Sequence, residues 1–282
     1  VNACHDHLTK FDFEVVPLSA KPDVILLAGL DDEGSGISAE KAIAYKIMMA
    51  ASGKNVKIVM RVNENDARKG TTNVDARVLS LLSNVDAVVF VSSWLQAYYA
   101  SKGYSDKSTV IVNGVNSSSY KPNTKFNNGK LNIVTHHWSN NQMKGFDVYE
   151  TIDRFVGASD AFSFTYIGRH RNTFKHTRTI EPLYGDALGS ELGRYDVYVS
   201  GSRWDPGPNH VLESIACGLP TYVHRDGGGS VEFAGTKFAY SSMDELVGML
   251  KTSSTADVSQ QRTIVRPWET CVSEFANLMR SL

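Results

Sequence analysis

The sequence predicts an α/β protein made of two doubly wound domains, each with a parallel sheet. Three observations carry that expectation. Short β-branched apolar runs alternate with stretches of helical periodicity along most of the 282 residues. The runs are continuously apolar, as strands covered on both faces are. The pattern then stops and restarts across KPNTKFNNGK, a stretch after Tyr120 with no apolar periodicity that reads as a linker. A chain of this length also exceeds what one core usually supports. One domain is therefore expected over 1–121 and a second over 122–266.

In the first half the strand-like runs are Phe13 to Pro17, Val24 to Leu27, Val56 to Met60, Val85 to Val91 and Val110 to Val112. Ser38 to Ala51 reads as a helix, with Ile43, Ile47 and Ala50 recurring at helical spacing, and so does Trp94 to Lys102. In the second half the spacing predicts strands over Leu131 to Thr135, Ser163 to Ile167, Val197 to Ser200 and Thr221 to His224. The predicted helices there are Gly145 to Phe155, Gly185 to Gly193, Asn209 to Cys217 and Ser242 to Lys251. Trp268 to Leu282 is a last amphipathic helix with Val272, Phe275, Leu278 and Met279 on its apolar side. Two such domains in tandem are expected to leave a cleft between the carboxyl ends of their sheets, where open α/β folds bind ligands.

Composition removes several classes of function. The formal charge is −1, from 29 basic and 30 acidic residues, and no basic lobe stands out, which disfavours nucleic acid and anionic lipid surfaces as partners. Cys4, Cys217 and Cys271 are odd in number and widely separated, so neither a disulfide framework nor a zinc ribbon is expected, and a reducing, cytoplasmic setting fits. The longest apolar runs fall far short of the ~20 residues that cross a bilayer, and VNACHDHLTK lacks the character of a signal peptide.

The segment Ser202 to Pro220, SRWDPGPNHVLESIACGLP, carries the most chemistry. It follows a strand, runs through a Pro/Gly loop and enters a helix near Asn209, whose first-turn N–H groups lack internal partners. Such a helix start is a ready site for a diphosphate, which meets aligned donors and the positive end of the helix dipole. Gly207, Pro208, Asn209, His210, Val211 and Leu212 form this loop and opening turn and are expected to bind the donor. Asp205 and Glu213 stand eight residues apart, one before the helix and one a turn inside it, and their carboxylates suit sugar hydroxyls. The plainer reading is that Asp205 caps a turn and Glu213 is a solvated helix residue.

This segment resembles the signature of retaining GT-B glycosyltransferases, glycosyltransferase family 4 in particular: Glu-x7-Glu, then a helix ending in a small-Cys/Ala-Gly-x-Pro turn. Asp205 falls on the first acidic position, one methylene shorter than the usual glutamate, Glu213 on the second, and Ala216 to Pro220 on the turn. Further matches fall in family order. VVFVSSWL from Val88 with VIVNGVNSSSY from Val110 is similar to the end of the family's N-terminal domain. IVTHHWSNNQMKG from Ile133 resembles the opening of its C-terminal domain, and DGGGSVE from Asp226 its Gly-rich loop. Trp268-Glu269 begins what resembles the helix that crosses back to complete the N-terminal domain, so 267–282 is assigned there.

The resemblance implies a GT-B fold and transfer from a nucleoside diphosphate sugar, most simply a UDP- or GDP-sugar, to a hydroxyl acceptor that is a carbohydrate, a lipid-linked glycan or a small molecule. It implies that Asp205 lies near the donor sugar, that Glu213 binds the ribose and that Lys144 neutralises the diphosphate. The arginine that usually precedes this lysine is absent, and His136 or His137 is left to take its place. No metal and no cofactor besides the donor is implied; His136 and His137, adjacent in a strand, are expected to point to opposite faces. The family's opening strand and Gly-rich loop have no counterpart before Phe11, so either the chain is a fragment or its N-terminal lobe is reduced.

On the acceptor side, Arg61, Asn63, Glu64 and Asp66 follow a predicted strand and are expected at a strand-end cleft, although loops are also polar because they face water. DDEGSGIS, from Asp31 to Ser38, opens a helix, but its adjacent acids argue against phosphate. Two alternatives stay open: a nucleotide-sugar epimerase, which shares this fold, and a catalytically weak glycosyltransferase-like binding domain.

Overall fold

The computed structural model describes residues 2–31, 36–171 and 173–282. The chain divides into two compact units, Val1–Gly114 with Trp268–Leu282, and Val115–Pro267. The first contains α1 (Asn2–Leu8), β1 (Val24–Leu27), α2 (Ala39–Ala51), β2 (Lys57–Val62), α3 (Asp66–Lys69), α4 (Val74–Leu82), β3 (Ala87–Phe90), α5 (Ser93–Ala100) and β4 (Thr109–Val110). The second contains β5 (Leu131–His137), α6 (Phe146–Gly157), β6 (Phe162–Gly168), β7 (Arg178–Ile180), α7 (Gly185–Leu192), β8 (Val197–Ser200), α8 (Asn209–Ala216), β9 (Thr221–His224), α9 (Gly229–Ala234), β10 (Ala239–Tyr240), α10 (Met243–Thr252) and α11 (Thr255–Gln261). The last helix, α12 (Trp268–Arg280), belongs to the first unit.

The first sheet runs β1-β2-β3-β4, all parallel. Its strands are apolar on both faces because both are covered. Ile58, Met60, Val62, Val88 and Phe90 pack with Met49, Val78, Leu81, Leu95 and Tyr99 of α2, α4 and α5. Val59, Val89 and Ile111 pack with Leu8 of α1 and with Cys271, Val272, Phe275 and Met279 of α12. Burying both faces is what a period of two with no polar alternation requires. Ser38, Asn65 and Ser92 each start a helix by accepting a backbone N–H with the side-chain oxygen, from Lys41, Arg68 and Leu95.

Two expectations for this unit are corrected. Phe13 to Pro17 is no strand: the segment lies between two 3-10 turns bounded by Asp12 and Lys21, both at positive φ, and Phe13 packs beside α12. On α2 the buried stripe is Ala39, Ala42 and Met49, whereas Ile47 is 66% exposed. Of the DDEGSGIS segment, residues 32–35 lie outside the described part of the chain.

The second sheet runs β10-β9-β8-β5-β6-β7, again all parallel. From β5 the chain first builds outward through β6 and β7, then returns to the other side of β5 for β8, β9 and β10. The strand order therefore reverses between β5 and β8, the point at which open α/β sheets bind ligands. This unit begins at Val115, seven residues before the expected boundary at 122, because the intervening segment is fastened to it. Val115 N–H donates to Arg266 O at 2.8 Å, and Ser119 Oγ donates to Asp186 at 2.5 Å. Gly189 of α7 packs so closely that a Cβ there would lie 2.0 Å from Ser119 O.

Candidate functional site

The site grows from the gap between β5 and β8. β5 stays paired with β6 to its end, at His137 against Gly168, but pairs with β8 only at Ile133↔Val197 and Val134↔Tyr198. Past that point the Tyr198 side chain replaces the ladder. Its hydroxyl accepts the His136 N–H at 3.1 Å and lies 3.2 Å from His136 O, to which it donates. The His136 main-chain groups are thus satisfied without β8, and the carboxyl ends of the two strands part.

The segment leaving β8 is pinned on both sides. Arg203 N–H donates to Met143 O at 2.8 Å, and the Arg203 guanidinium grips Asp147 at 2.9 and 2.6 Å. On the other side Trp204 N–H donates to Asp226 O at 2.8 Å, Asp205 N–H to Gly227 O at 3.2 Å, and Gly229 N–H to Asp205 O at 2.8 Å. Between them Trp204 sits at φ 56°, a left-handed conformation that costs a non-glycine residue free energy. Gly145, at φ 85°, meets this segment so tightly that a Cβ would fall 2.1 Å from Gly201 O. Only glycine lets the turn carrying Lys144 approach this closely.

Helix α8 then starts at Asn209. Its N-cap is Pro208, at φ −73°, which makes no side-chain cap hydrogen bond. The helix start faces a cavity of about 350 Å³, whose size suits a small ligand. The cavity wall includes His136, His137, Lys144, Asp205, Gly207, Pro208, Asn209, His210 and Glu213. Nine of the residues singled out from the sequence are thus brought together in one place.

One ion pair and one histidine–carboxylate hydrogen bond organise the wall. Lys144 Nζ stands 3.2 Å from Asp205 Oδ2, both side chains about one-tenth exposed, and His136 Nε2–H donates to Glu213 Oε2 at 2.9 Å. The Tyr149 hydroxyl accepts the Gly201 N–H at 2.9 Å and lies 2.5 Å from His137 Nε2, so it fixes that ring from below. His210 Nε2 bonds Ser200 Oγ at 2.9 Å. Burial and the neighbouring Glu213 carboxylate push the Tyr120 phenol well above its ordinary pKa, so it stays a neutral donor beside Glu213.

Some expectations fare differently. His136 and His137 do not part to opposite faces. Both line the cavity, with ring centroids 6.2 and 5.0 Å from that of His210, because they end the strand where the sheet gives way to open space. Val211 and Leu212 lie in the core, fully buried, and are absent from the cavity wall. In the first unit Asp66 spends its carboxylate on Thr71, Val74 N–H and Asp75 N–H, a structural cap rather than a ligand group. Glu64 pairs with Lys69 at 2.5 Å, and Arg61 donates to Ala28 O and Asn113 Oδ1. Asn63 Oδ1 is buried with no partner, so of the four Asn63 retains hydrogen-bonding capacity.

Tyr120, Trp138, Ile167, Gly168, Pro182, Leu183, Tyr184, Gly185 and Leu188 complete the wall and were not anticipated. Gly168 and Trp138 had a signal, since both sit at the ends of readable strands. Pro182, Leu183 and Tyr184 come from the β7–α7 connection, whose short strand leaves little trace in the sequence, and Gly185 and Leu188 from the opening turns of α7. Among the described residues no group of three or more His, Cys, Asp or Glu is placed to hold a metal ion, and no helix is long and apolar enough to cross a membrane.

No protein-family profile matches the chain, and no curated protein matches it. Solved structures do. Anabaena HepE in complex with UDP and glucose superposes with a TM-score of 0.68 at 14% identity, over 99% of this chain and 81% of that one. Sucrose-phosphate synthase from Thermosynechococcus elongatus gives 0.66 at 14% identity, over 83% and 70%. TarM from S. aureus gives 0.65 at 12% identity, over 82% of this chain and 52% of that one, so the chain spans about half of TarM's length. The fold is therefore that of the GT-B glycosyltransferases, with two α/β units on parallel sheets.

Proposed function

We propose that this chain is a nucleotide-sugar-dependent glycosyltransferase whose donor is held by the second unit. The observation that carries the proposal is the cavity at the β5/β8 reversal, where the start of α8, Lys144 and two carboxylates converge. A diphosphate at the start of α8 would meet backbone donors, the positive end of the helix dipole and the Lys144 ammonium. Glu213, steered by His136 and Tyr120, is placed for ribose hydroxyls, and Asp205 for hydroxyls of the transferred sugar. HepE, TarM and the pneumococcal O-GlcNAc transferase GtfA are each described in complex with UDP, which favours UDP-sugars over GDP-sugars for this chain.

In the proposed reaction the bond between the anomeric carbon and the diphosphate oxygen breaks, and its electron pair goes to the diphosphate. Lys144 and the α8 amides stabilise that charge, which supplies the main catalytic effect without a metal. The acceptor hydroxyl attacks on the same face, its proton passing to the departing diphosphate, so that configuration is retained. The acceptor is a carbohydrate, a lipid-linked glycan or a small molecule, and the protein would serve glycan synthesis in the cytoplasm. The three cysteines, none in a disulfide, support that setting.

A thermal-shift screen of UDP-, GDP-, ADP- and dTDP-sugars tests the reading, since a ligand that binds only the folded state raises the melting temperature. A UDP-sugar is expected to give the largest rise. NMR of the first-formed product is expected to show the donor's anomeric configuration. No shift with any nucleotide would remove the proposal, and release of epimerised sugar without acceptor would replace it with an epimerase.

A further inference from the structure

Trp138 and Tyr184 form part of the cavity wall yet are 59% and 57% exposed, which places them at its mouth. Their rings meet edge to face at 5.3 Å. Over the Trp138 ring, 4.3 Å from its centroid, lies the guanidinium of Arg169. The backbone that presents this arginine is fixed. Arg169 N–H donates to His137 O at 3.3 Å, and its own carbonyl accepts the Tyr166 hydroxyl at 3.0 Å. Gly168 just before it sits at φ 121°, with a Cβ position 2.0 Å from His137 O, so the chain turns out of β6 hard against the end of β5. Arg169 therefore emerges one residue past a residue of the cavity wall. Among the described residues no carboxylate lies within ion-pair distance of it.

The charge of the wall makes this position informative. The wall holds one ammonium, Lys144, against two carboxylates, Asp205 and Glu213, and Lys144 is already paired with Asp205. A nucleoside diphosphate brings at least two further negative charges into a partly desolvated space. The helix start offsets part of this, but the side chains of the wall do not balance it.

We propose that Arg169 is the second diphosphate-binding cation of the site, resting on Trp138 and turning to the phosphates when a nucleoside diphosphate enters. This inference rests on the donor reading above. A cation–π contact at an exposed site is weak, whereas a guanidinium on a phosphate forms two parallel charge-assisted hydrogen bonds. The ring thus holds the side chain near the mouth without competing strongly with the ligand. It also keeps the guanidinium extended, so that less rotamer freedom is lost on binding.

Calorimetry with UDP and UMP on the full chain tests the proposal, using wild type, Arg169→Ala, Arg169→Lys, Trp138→Leu and Lys144→Ala. Arg169→Ala is expected to weaken UDP about tenfold or more, the loss of at least one charge-assisted contact, and to weaken UMP clearly less. Arg169→Lys is expected to recover part of the loss and Trp138→Leu to cost less than Arg169→Ala. Because Arg169 is exposed, unchanged thermal melting is expected for its variants. UDP binding unaltered in Arg169→Ala while Lys144→Ala loses it would overturn this proposal and leave the donor reading intact. Equal losses of UDP and UMP in Arg169→Ala and Trp138→Leu would also overturn it, since the arginine would then only support the ring. A wild type that binds neither nucleotide would end both.

Discussion

Lys144 and Asp205, 61 positions apart in the chain, meet at 3.2 Å with both side chains nearly out of water. The lysine closes the turn before α6 and the aspartate closes the segment after β8, so one contact joins the two loops that flank the sheet reversal. A buried pair of this kind is costly to break on one side. Asp205→Ala is expected to lower unfolding free energy by about 3 kcal/mol, since it takes the carboxylate away from a nearly buried ammonium. Lys144→Met with Asp205→Leu is expected to regain most of that while transfer stays lost. Urea denaturation beside a turnover assay checks both. Equal stability of the single variant and wild type would show that the pair contributes nothing.

Glu213 shares its carboxylate with His136 and sits beside Tyr120. Glu213→Ala is expected to reduce the affinity for the donor nucleotide by about 1.5 to 3 kcal/mol through lost charge-assisted hydrogen bonds. Calorimetry on the two proteins reads this directly, and undiminished affinity would detach Glu213 from the ribose.

Two glycines make opposite predictions. Gly145→Ala must accommodate a methyl 2.1 Å from Gly201 O at a positive φ, and is expected to cost about 2 kcal/mol or more and to displace Lys144. Gly248, inside α10, has open space where its Cβ would be. Gly248→Ala is expected to stabilise the protein by about 0.5 to 1 kcal/mol. Paired thermal melts test both, and similar melting temperatures for the two variants would contradict the geometry.

Asp153 gives the second unit a pH dependence. Burial raises its carboxyl pKa, but the Thr177 hydroxyl and the N–H groups of Lys175, His176 and Thr177 outweigh burial and hold it below the ordinary aspartate value. A folded pKa below the unfolded one means stability that is fully present above the unfolded value. It is lost as pH falls through the folded value, below about pH 4. Asp153→Ala is expected to cost about 2 kcal/mol at neutral pH and to flatten this part of the acid-unfolding profile. An unchanged profile would argue against it.

Cys217 is fully buried, and burial with the nearby Glu213 pushes its thiol up to about 12. It is expected to resist iodoacetamide in the native protein at pH 8 and to react after unfolding, because the thiolate is the reactive form. Mass spectrometry of the alkylated peptide reads the outcome, and prompt native labelling would contradict the burial.

The sequence showed most of this arrangement where one short segment holds the whole signal. Lys144 before Gly145, and Asp205 eight residues before Glu213, are local patterns that follow readable strands, and the cavity gathers Lys144, Asp205 and Glu213. Trp138, Tyr184, Arg169 and Tyr120 come together from separate strand ends and connections, so no spacing announces them. Periodicity also failed where tertiary packing chose among apolar residues. Ile47 has the right spacing for a core face, yet α2 turns Ala39, Ala42 and Met49 inward. Phe13 to Pro17 has strand composition, but it runs between two 3-10 turns and packs Phe13 beside α12 instead of joining a sheet.

The hydroxyl of Tyr198 makes the mouth of the second sheet depend on a single phenol. Two parallel strands would ordinarily zip to their tips; here an aromatic spacer satisfies the last peptide groups of one strand and holds the other off. The gap between the strand ends is thus built into the tertiary scaffold, where one side chain stands in for the missing ladder. A shorter side chain at position 198 is expected to let the seam close or leave its edges wet, so the cavity is shaped by a residue outside its wall.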